Sequence, residues 1–246
     1  MTAVAALCIC VIWFLGGFIN GVTSFGGNLI AAPLMTLIME PKDAIIFSGL
    51  VGTGFVAALA VLYHHALSVR ELILAVAGAI AGIPVGIMLL ERLPSRFILL
   101  AAAGIILLFL LWQFISGSLH HSSPIPIWFV VPAGFVSGIL FGSTSMGGPL
   151  LAIYGVLRGW NKETMLSMCN TMFALTMGSM VLMQWREGLY SSTMLHAAVW
   201  ALPSTVIGVF ASLPVIRRIN QRMFRYGVFI MLALSAVMLL ARSFGA

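Results

Sequence analysis

The sequence predicts an all-α polytopic membrane protein of two tandem four-helix repeats, on the strength of its composition, its long charge-free stretches and a duplicated glycine motif. Of 246 residues, 61% are hydrophobic and 7% are charged, and the mean hydropathy is +1.13. A soluble domain carries about 25% charged residues, so this composition cannot cover a water-facing surface. One membrane span takes about 20 apolar residues, so the roughly 150 apolar residues present supply seven or eight spans.

The charge pattern argues against a nucleic-acid partner, although the net charge is +6 and the pI is about 9.8. The basic residues lie singly or in small groups in short loops between apolar runs, and no basic face is interleaved with aromatic residues. They are therefore interpreted as positive-inside topology signals. The three cysteines lie in apolar runs without ligand spacing, so neither a metal site nor a cofactor is predicted.

Two of the charge-free stretches are too long for one straight span. As a single helix, residues 1–39 would be roughly 58 Å long, about twice the hydrocarbon thickness. Residues 97–157 divide at a polar connector over residues 116–124, and the remaining part is again too long. A helix break is therefore expected in both segments.

The two expected breaks have matching sequences. Residues 17–21 read GFING and residues 134–138 read GFVSG, an offset of 117. Residues 23–28 read TSFGGN and residues 144–149 read TSMGGP, an offset of 121. A tandem duplication accounts for both matches, with the first helix of each repeat broken at a Thr-Ser-x-Gly-Gly element. The predicted repeats are residues 1–118 and 119–246.

The broken segments either cross the membrane or re-enter it. If they cross, the twelve basic residues divide nine against three, with Arg70 on the side opposite Arg158; if they re-enter, the division is seven against five. The positive-inside rule favours the more uneven division, so the sequence predicts eight crossings with both termini on the non-cytoplasmic side.

The Thr-Ser-x-Gly-Gly elements also predict a binding site. The half-helices that begin at Gly27 and Gly148 are expected to present open N–H groups, which with neighbouring hydroxyls make an anion-binding nest. The alternative is close helix packing through small residues, but two copies in two over-long segments favour a site. The candidate substrate-binding residues are Thr23, Ser24, Gly26, Gly27, Asn28, Ser143, Thr144, Ser145, Gly147, Gly148 and Asn170.

The acidic and basic residues favour an anionic substrate. All six acidic residues lie at the ends of spans, so no mid-membrane carboxylate is expected to carry a proton or coordinate sodium. His64, His65 and Arg186 close their spans and are candidates for a pathway charge or a pH sensor. The alternative for these three is a cap that reaches the lipid headgroups.

The duplicated motif resembles that of the TauE/SafE sulfite exporter family, also called the 4-toluene sulfonate uptake permease family. The resemblance covers essentially the whole chain, although Asn28 stands where the second copy has Pro149. It implies transport of sulfite, an organosulfonate or a related oxyanion across a bacterial inner membrane, by a protein that is not an enzyme. A homodimer is compatible with so little extramembrane mass.

The transport mechanism is expected to place one small anion between the two broken segments, with one repeat rocking against the other. Export is favoured, because a negative interior drives out each negative charge with about 2.3 kcal/mol per 100 mV. Proton-linked export through the histidines stays open. The alternatives are an anion channel, an importer of another small organic anion and an intramembrane metal or haem enzyme.

Overall fold

The computed structural model describes residues 3–92, 95–116, 125–145 and 147–244. These residues form ten α-helices and two short 3-10 helices and contain no strand. The helices are α1 (Ala3–Thr23), α2 (Gly27–Met35), α3 (Pro41–Leu62), α4 (Val69–Arg92), α5 (Ser95–Ser116), α6 (Val130–Thr144), α7 (Gly148–Arg158), α8 (Lys162–Arg186), α9 (Ser192–Arg218) and α10 (Gln221–Phe244). Within the described ranges, six helices are long and apolar enough to cross a membrane, which confirms the predicted polytopic helical class.

The chain forms two compact units, each of which combines helices from both halves of the sequence. The first unit comprises Met1–Ala66 and Leu166–Ile219, and the second comprises Leu67–Met165 and Asn220–Ala246. The predicted repeat boundary at residues 118 and 119 lies outside the described residues, so the repeat limits stay a prediction.

In the first unit, α1 and α9 run parallel in close contact. A Cβ atom on Gly17 would come within 2.2 Å of Thr205 O, and one on Gly21, a turn later, within 2.8 Å of Ser212 Cβ. The Thr205 hydroxyl donates to Trp13 O at 3.0 Å. Because glycine lacks a side chain, the two backbones approach closely enough for this bond between them.

The first unit contains a buried aromatic core between α1 and α3. Trp13 is fully buried, with its ring centroid 5.9 Å from that of Phe47 and 6.4 Å from that of Phe55. Helix α8 runs antiparallel to α3: the Ser167 hydroxyl donates to Tyr63 O at the end of α3, while Met177 lies against Gly52 near its middle. The aromatic core therefore joins α1 to α3, and separate contacts place α8 against α3.

Helix α2 folds back along α1. A Cβ atom on Gly27 would lie 2.7 Å from Gly16 O and 3.0 Å from Asn20 Cβ, and the Ala31 side chain also lies against Gly16. As α2 proceeds from Gly27 to Ala31, it thus stays beside the last turns of α1. With nine residues, α2 is about 14 Å long, less than half of a span.

In the second unit, α4 and α6 run parallel and in close contact. A Cβ atom on Gly134 would come within 2.3 Å of Ala75 O, and one on Gly138 within 2.1 Å of Ala79 O. Gly82, one turn beyond Ala79 on α4, contacts Phe135 in the same way. Glycines spaced four residues apart on both helices therefore face each other, an arrangement that small-residue motifs favour in membranes.

The second unit is also joined by a buried carboxylate. Glu71 in the first turn of α4 is 4% exposed and accepts from Arg158 Nε at 2.7 Å and Trp160 Nε1 at 3.1 Å. Arg158 Nη1 donates to Ile125 O at 3.1 Å, and Tyr154 lies 3.4 Å from the carboxylate. Since Arg158 ends α7 and Ile125 precedes α6, α7 returns along α6.

These contacts correct the predicted grouping of basic residues. The eight-crossing arrangement separates Arg70 from Arg158 by the membrane, but Glu71, the neighbour of Arg70, bonds directly to Arg158. Gln221 accepts from the Lys162 N–H at 2.6 Å, so α10 begins beside the start of α8. The nine-to-three division is therefore wrong, because α7 turns back on α6 instead of extending it. The seven-to-five alternative places Arg70 and Arg158 on one side.

The corrected grouping predicts that Arg70 and Arg222 reach the same side of the membrane. Single Arg70→Cys and Arg222→Cys variants, made with the three natural cysteines replaced, are expected to react with a membrane-impermeant thiol reagent from the same side of sealed vesicles. Both arginines are exposed at the start of their helices, so the labels have access. Labelling from opposite sides would restore the eight-crossing arrangement.

The Glu71 contacts predict a large stability effect. Glu71→Gln is expected to lower the unfolding free energy by about 3 kcal/mol or more, because it leaves the Arg158 guanidinium without its counter-charge. Combining it with Arg158→Met is expected to recover part of the loss. Thermal unfolding in detergent, followed by tryptophan fluorescence, measures both, and the exposed Glu187→Gln is the control. Equal loss in the single and double variants would mean that the ion pair itself contributes nothing.

Candidate functional site

The turn between α1 and α2 contains a serine in the left-handed conformation. Ser24 has φ of 76°, and its N–H donates to Asn20 O at 2.7 Å. The turn after α6 is alike: Ser145 has φ of 58°, and its N–H donates to Phe141 O at 3.0 Å. Among the described residues these are the only non-glycine residues with positive φ. The conformation costs roughly 1–2 kcal/mol per residue, and such strain is common at functional sites.

Side chains from α1 cap the start of α2. The Thr23 hydroxyl donates to Ile19 O at 2.8 Å and accepts the Gly26 N–H at 3.3 Å. The Asn20 Oδ1 atom accepts the Gly27 N–H at 3.3 Å. The prediction of an open N–H group at Gly27 is therefore wrong in this conformation, because Asn20 already caps it.

Two buried asparagines connect this turn to α8. Asn20 Nδ2 donates to Asn170 Oδ1 at 3.1 Å, and Asn170 Nδ2 donates to Leu166 O at 2.7 Å. The structure thus links the candidate Asn170 to the turn through Asn20, a residue that sequence reasoning missed. The signal for Asn20 was present, since an amide side chain inside an apolar helix one turn before a break needs polar partners.

Buried hydroxyl groups complete a polar cluster in the first unit. Ser24 and Ser48 are fully buried, and neither Oγ atom has a hydrogen-bond partner among the described residues. Asn28 lies next to Ser48, since its Nδ2 atom donates to Ser48 O at 3.4 Å. We call Asn20, Ser24, Asn28, Ser48 and Asn170 the serine–asparagine cluster. A buried hydroxyl without a partner costs about 1–3 kcal/mol. Binding of a ligand that accepts hydrogen bonds from Ser24 and Ser48 would remove this cost.

The glycines of the two motifs have a packing role. A Cβ atom on Gly27 would lie 2.7 Å from Gly16 O and 2.8 Å from Phe55 Cζ. A Cβ atom on Gly147 would lie 2.4 Å from both Phe141 Cδ2 and Ser137 O. At these two candidate positions the small residue is required for close packing, whatever its contribution to binding.

The hydroxyls of Ser137 and Ser143, near the second motif, donate to nearby backbone carbonyls. Ser143 donates to Ile139 O at 2.8 Å, and Ser137 donates to Gly147 O at 2.7 Å. Ser145 is buried, with 1% of its surface exposed. The Ser143 hydroxyl proton is therefore already donated to a backbone carbonyl of its own helix, α6.

The start of α7 is also poorer in donors than the start of α2. Gly148 begins the helix, but Pro149 in its first turn has no N–H group to offer. The side chain of Thr144 lies outside the described residues. The first unit is therefore the stronger candidate for an anion site.

The structure places the charged candidates at opposite ends of the first unit. His64 and His65 follow α3, with ring centroids 3.7 Å apart, and His64 Nδ1 is 2.8 Å from Val61 O. Arg186 ends α8, sixteen residues or about 24 Å along the helix from Asn170. Because α3 and α8 are antiparallel, Arg186 and the histidines do not form one charged vestibule.

Comparison with known proteins identifies one family. A family model described as sulfite exporter TauE/SafE matches residues 9–239, nearly the whole chain. No curated protein and no solved structure gives a significant match.

The asparagine contacts predict energetic coupling between α1 and α8. Asn20→Ala is expected to destabilise the protein more than Asn170→Ala, because it also removes the cap on Gly27. The double variant is expected to lose less than the sum, with a coupling of about 0.6 kcal/mol and at most about 1.7 kcal/mol. Reversible unfolding of the four proteins in mixed micelles gives these energies. Strict additivity would contradict the contact, and Asn20→Ala with the distant, half-buried Ser179→Ala serves as the additive control.

Proposed function

Because the chain belongs to the TauE/SafE sulfite exporter family, we propose that it carries sulfite or a related small sulfur oxyanion, bound at the serine–asparagine cluster. The chain is a multi-pass membrane protein of a transporter family. The observation that carries the proposal is Ser24, whose strained backbone holds a fully buried hydroxyl that has no hydrogen-bond partner among the residues the structure describes.

The chemistry of the cluster suits a small oxyanion. Sulfite and sulfonate oxygens accept hydrogen bonds, and the Ser24 and Ser48 hydroxyls are donors that have no acceptor within the described part of the chain. The positive end of the α2 dipole adds attraction for a negative charge. All members of the cluster are neutral, which favours moderate affinity and release, as transport requires.

Asn20 and Thr23 would act as exchangeable caps in this proposal. Their oxygens accept the Gly27 and Gly26 N–H groups at 3.3 Å, beyond the usual range of 2.7–3.2 Å for such bonds. An arriving oxyanion competes for these amides because its oxygens carry more negative charge than an amide or hydroxyl oxygen. In this state Asn20 is held in place by its hydrogen bond to Asn170, and the N–H groups of Gly26 and Gly27 donate to the anion.

We also propose that the two halves are tandem repeats, of residues 1–118 and 119–246. Each of the two left-handed serines, Ser24 and Ser145, precedes the glycine pair of its motif by the same short interval. The contact of Gly17 with Thr205 has a counterpart in the contact of Gly134 with Ala75. In both pairs, the first helix of one half lies parallel to a later helix of the other half.

Export along the membrane potential is the proposed direction. The carboxylate that is buried in the second unit, Glu71, is held by Arg158 and Trp160 and does not belong to the cluster. A negative interior expels each negative charge with about 2.3 kcal/mol per 100 mV, so uniport needs no coupled ion. We place the protein in the bacterial inner membrane, with its termini on the non-cytoplasmic side. An importer, an anion channel and a proton-linked carrier through His64 and His65 remain the competing functions.

The test is sulfite flux from anaerobic proteoliposomes under a potential set by potassium and valinomycin. Wild type is expected to give saturable flux that follows the potential. Ser24→Ala is expected to lower transport efficiency roughly tenfold, because a hydrogen bond to a charged group contributes about 1.5–3 kcal/mol.

The matched control is Ser179→Ala. The Ser179 hydroxyl donates to Leu175 O on its own helix at 2.8 Å, so this variant is expected to transport like wild type. Equal rates in Ser24→Ala and wild type would move the site elsewhere. Flux that does not saturate would identify a channel, and flux driven by a pH gradient alone would identify proton coupling.

A further inference from the structure

An apolar groove lies on the surface of the second unit between α4 and α6. It has a volume of about 450 Å³ and is lined by apolar residues only, among them Leu74, Gly78 and Ala81 of α4 and Pro132 and Phe135 of α6. Leu74 and Phe135 are the largest side chains of the lining, while Gly78 and Ala81 are among the smallest. The parallel contact of α4 and α6 forms its floor, since Gly78 lies against the backbone of α6.

A cation lies at the mouth of this groove. Arg70 is exposed, and its guanidinium carbon is 5.2 Å from the centroid of the Trp128 ring. Arg70 is four residues, or one helical turn, before Leu74, and Trp128 is four residues before Pro132. The groove lining therefore begins one turn after Arg70 on α4, and a few residues after Trp128, which precedes α6.

The positive charge of Arg70 is not neutralised by its neighbours. The adjacent Glu71 is turned inward and bonds to Arg158, Trp160 and Tyr154. Across the described ranges, Arg70 takes part in no ion pair. An exposed arginine beside a tryptophan at the end of a membrane span is typical of the headgroup level of a bilayer.

We propose that this groove binds a phospholipid with an anionic headgroup. One acyl chain lies in the groove, and the phosphate group binds the Arg70 guanidinium, which stays stacked on Trp128. The membrane is the source of the occupant, because the groove is carried by the candidate span Val69–Leu89 and its lining offers no partner to a polar ligand. The planar guanidinium matches the two oxygens of a phosphate.

The acyl chain and the headgroup of the lipid are recognised by different parts of this site. The groove contributes area without selectivity, because any acyl chain fills it. Arg70 contributes headgroup preference, because only an anionic headgroup leaves net negative charge beside the guanidinium. A lipid seated in this way covers the joint between α4 and α6 and is expected to stabilise their contact.

The experiment compares phosphatidylglycerol with phosphatidylcholine of identical chains, added to the whole protein in a neutral detergent. Native mass spectrometry measures the affinity of each lipid, and thermal unfolding measures the stabilisation. Wild type is expected to bind phosphatidylglycerol more tightly. Arg70→Gln is expected to lose that preference by roughly tenfold while it keeps its affinity for phosphatidylcholine, since one charge-assisted contact contributes about 1.5–3 kcal/mol.

Two further variants decide between a site and general charge attraction. Arg222→Gln is the matched control, since Arg222 also stacks on an aromatic ring, that of Tyr226 at 5.9 Å, but lines no part of the groove. It is expected to keep the full preference. Ala81→Leu fills the groove and is expected to weaken both lipids. An unchanged preference in Arg70→Gln, or an equal loss in Arg222→Gln, would overturn the proposal even if Ala81→Leu proved too unstable to study.

Discussion

Every backbone N–H and C=O group inside the membrane needs a partner within the protein, because the hydrocarbon region offers no water to replace it. Continuous helices satisfy the requirement along the spans, and it becomes acute at the two turns after α1 and α6. At the first turn the chain meets it with its own side chains: Thr23 and Asn20 accept the N–H groups of Gly26 and Gly27. The polar character of the candidate site follows from this requirement.

The same turns reverse the chain direction, and the reversal governs how the units are assembled. Helix α2 returns along α1, and α7 returns along α6, which brings Arg158 to Ile125. Close parallel contacts through glycine then hold α1 to α9 and α4 to α6. Each compact unit is consequently built from both sequence halves, so folding must bring residues more than a hundred positions apart together.

Charge and polarity are used differently in the two units. In the second unit, Glu71 has partners for both of its oxygens and forms a closed ion-paired network at the end of the helices. In the described part of the first unit, the buried polar groups are neutral, and the hydroxyls of Ser24 and Ser48 have no hydrogen-bond partner there. A buried ion pair fixes structure, since loss of either partner is costly, whereas neutral donors can exchange partners at low cost. This contrast supports the first unit as the place where a transient ligand binds.

Composition determined the membrane class, because a chain with 61% hydrophobic and 7% charged residues has too few charged groups to cover a water-facing surface. The duplicated motif located both turns, since a glycine pair in an over-long apolar run marks a break. The sequence missed Asn20 as a cap and misplaced Arg70 relative to Arg158. Both errors have one cause: whether a chain continues or reverses at a break depends on which surfaces pack, and local sequence does not encode that choice. Only the tertiary structure brought Ala31 back to Gly16, Asn20 to Asn170 and Arg158 to Glu71, because these contacts join residues that are distant along the chain.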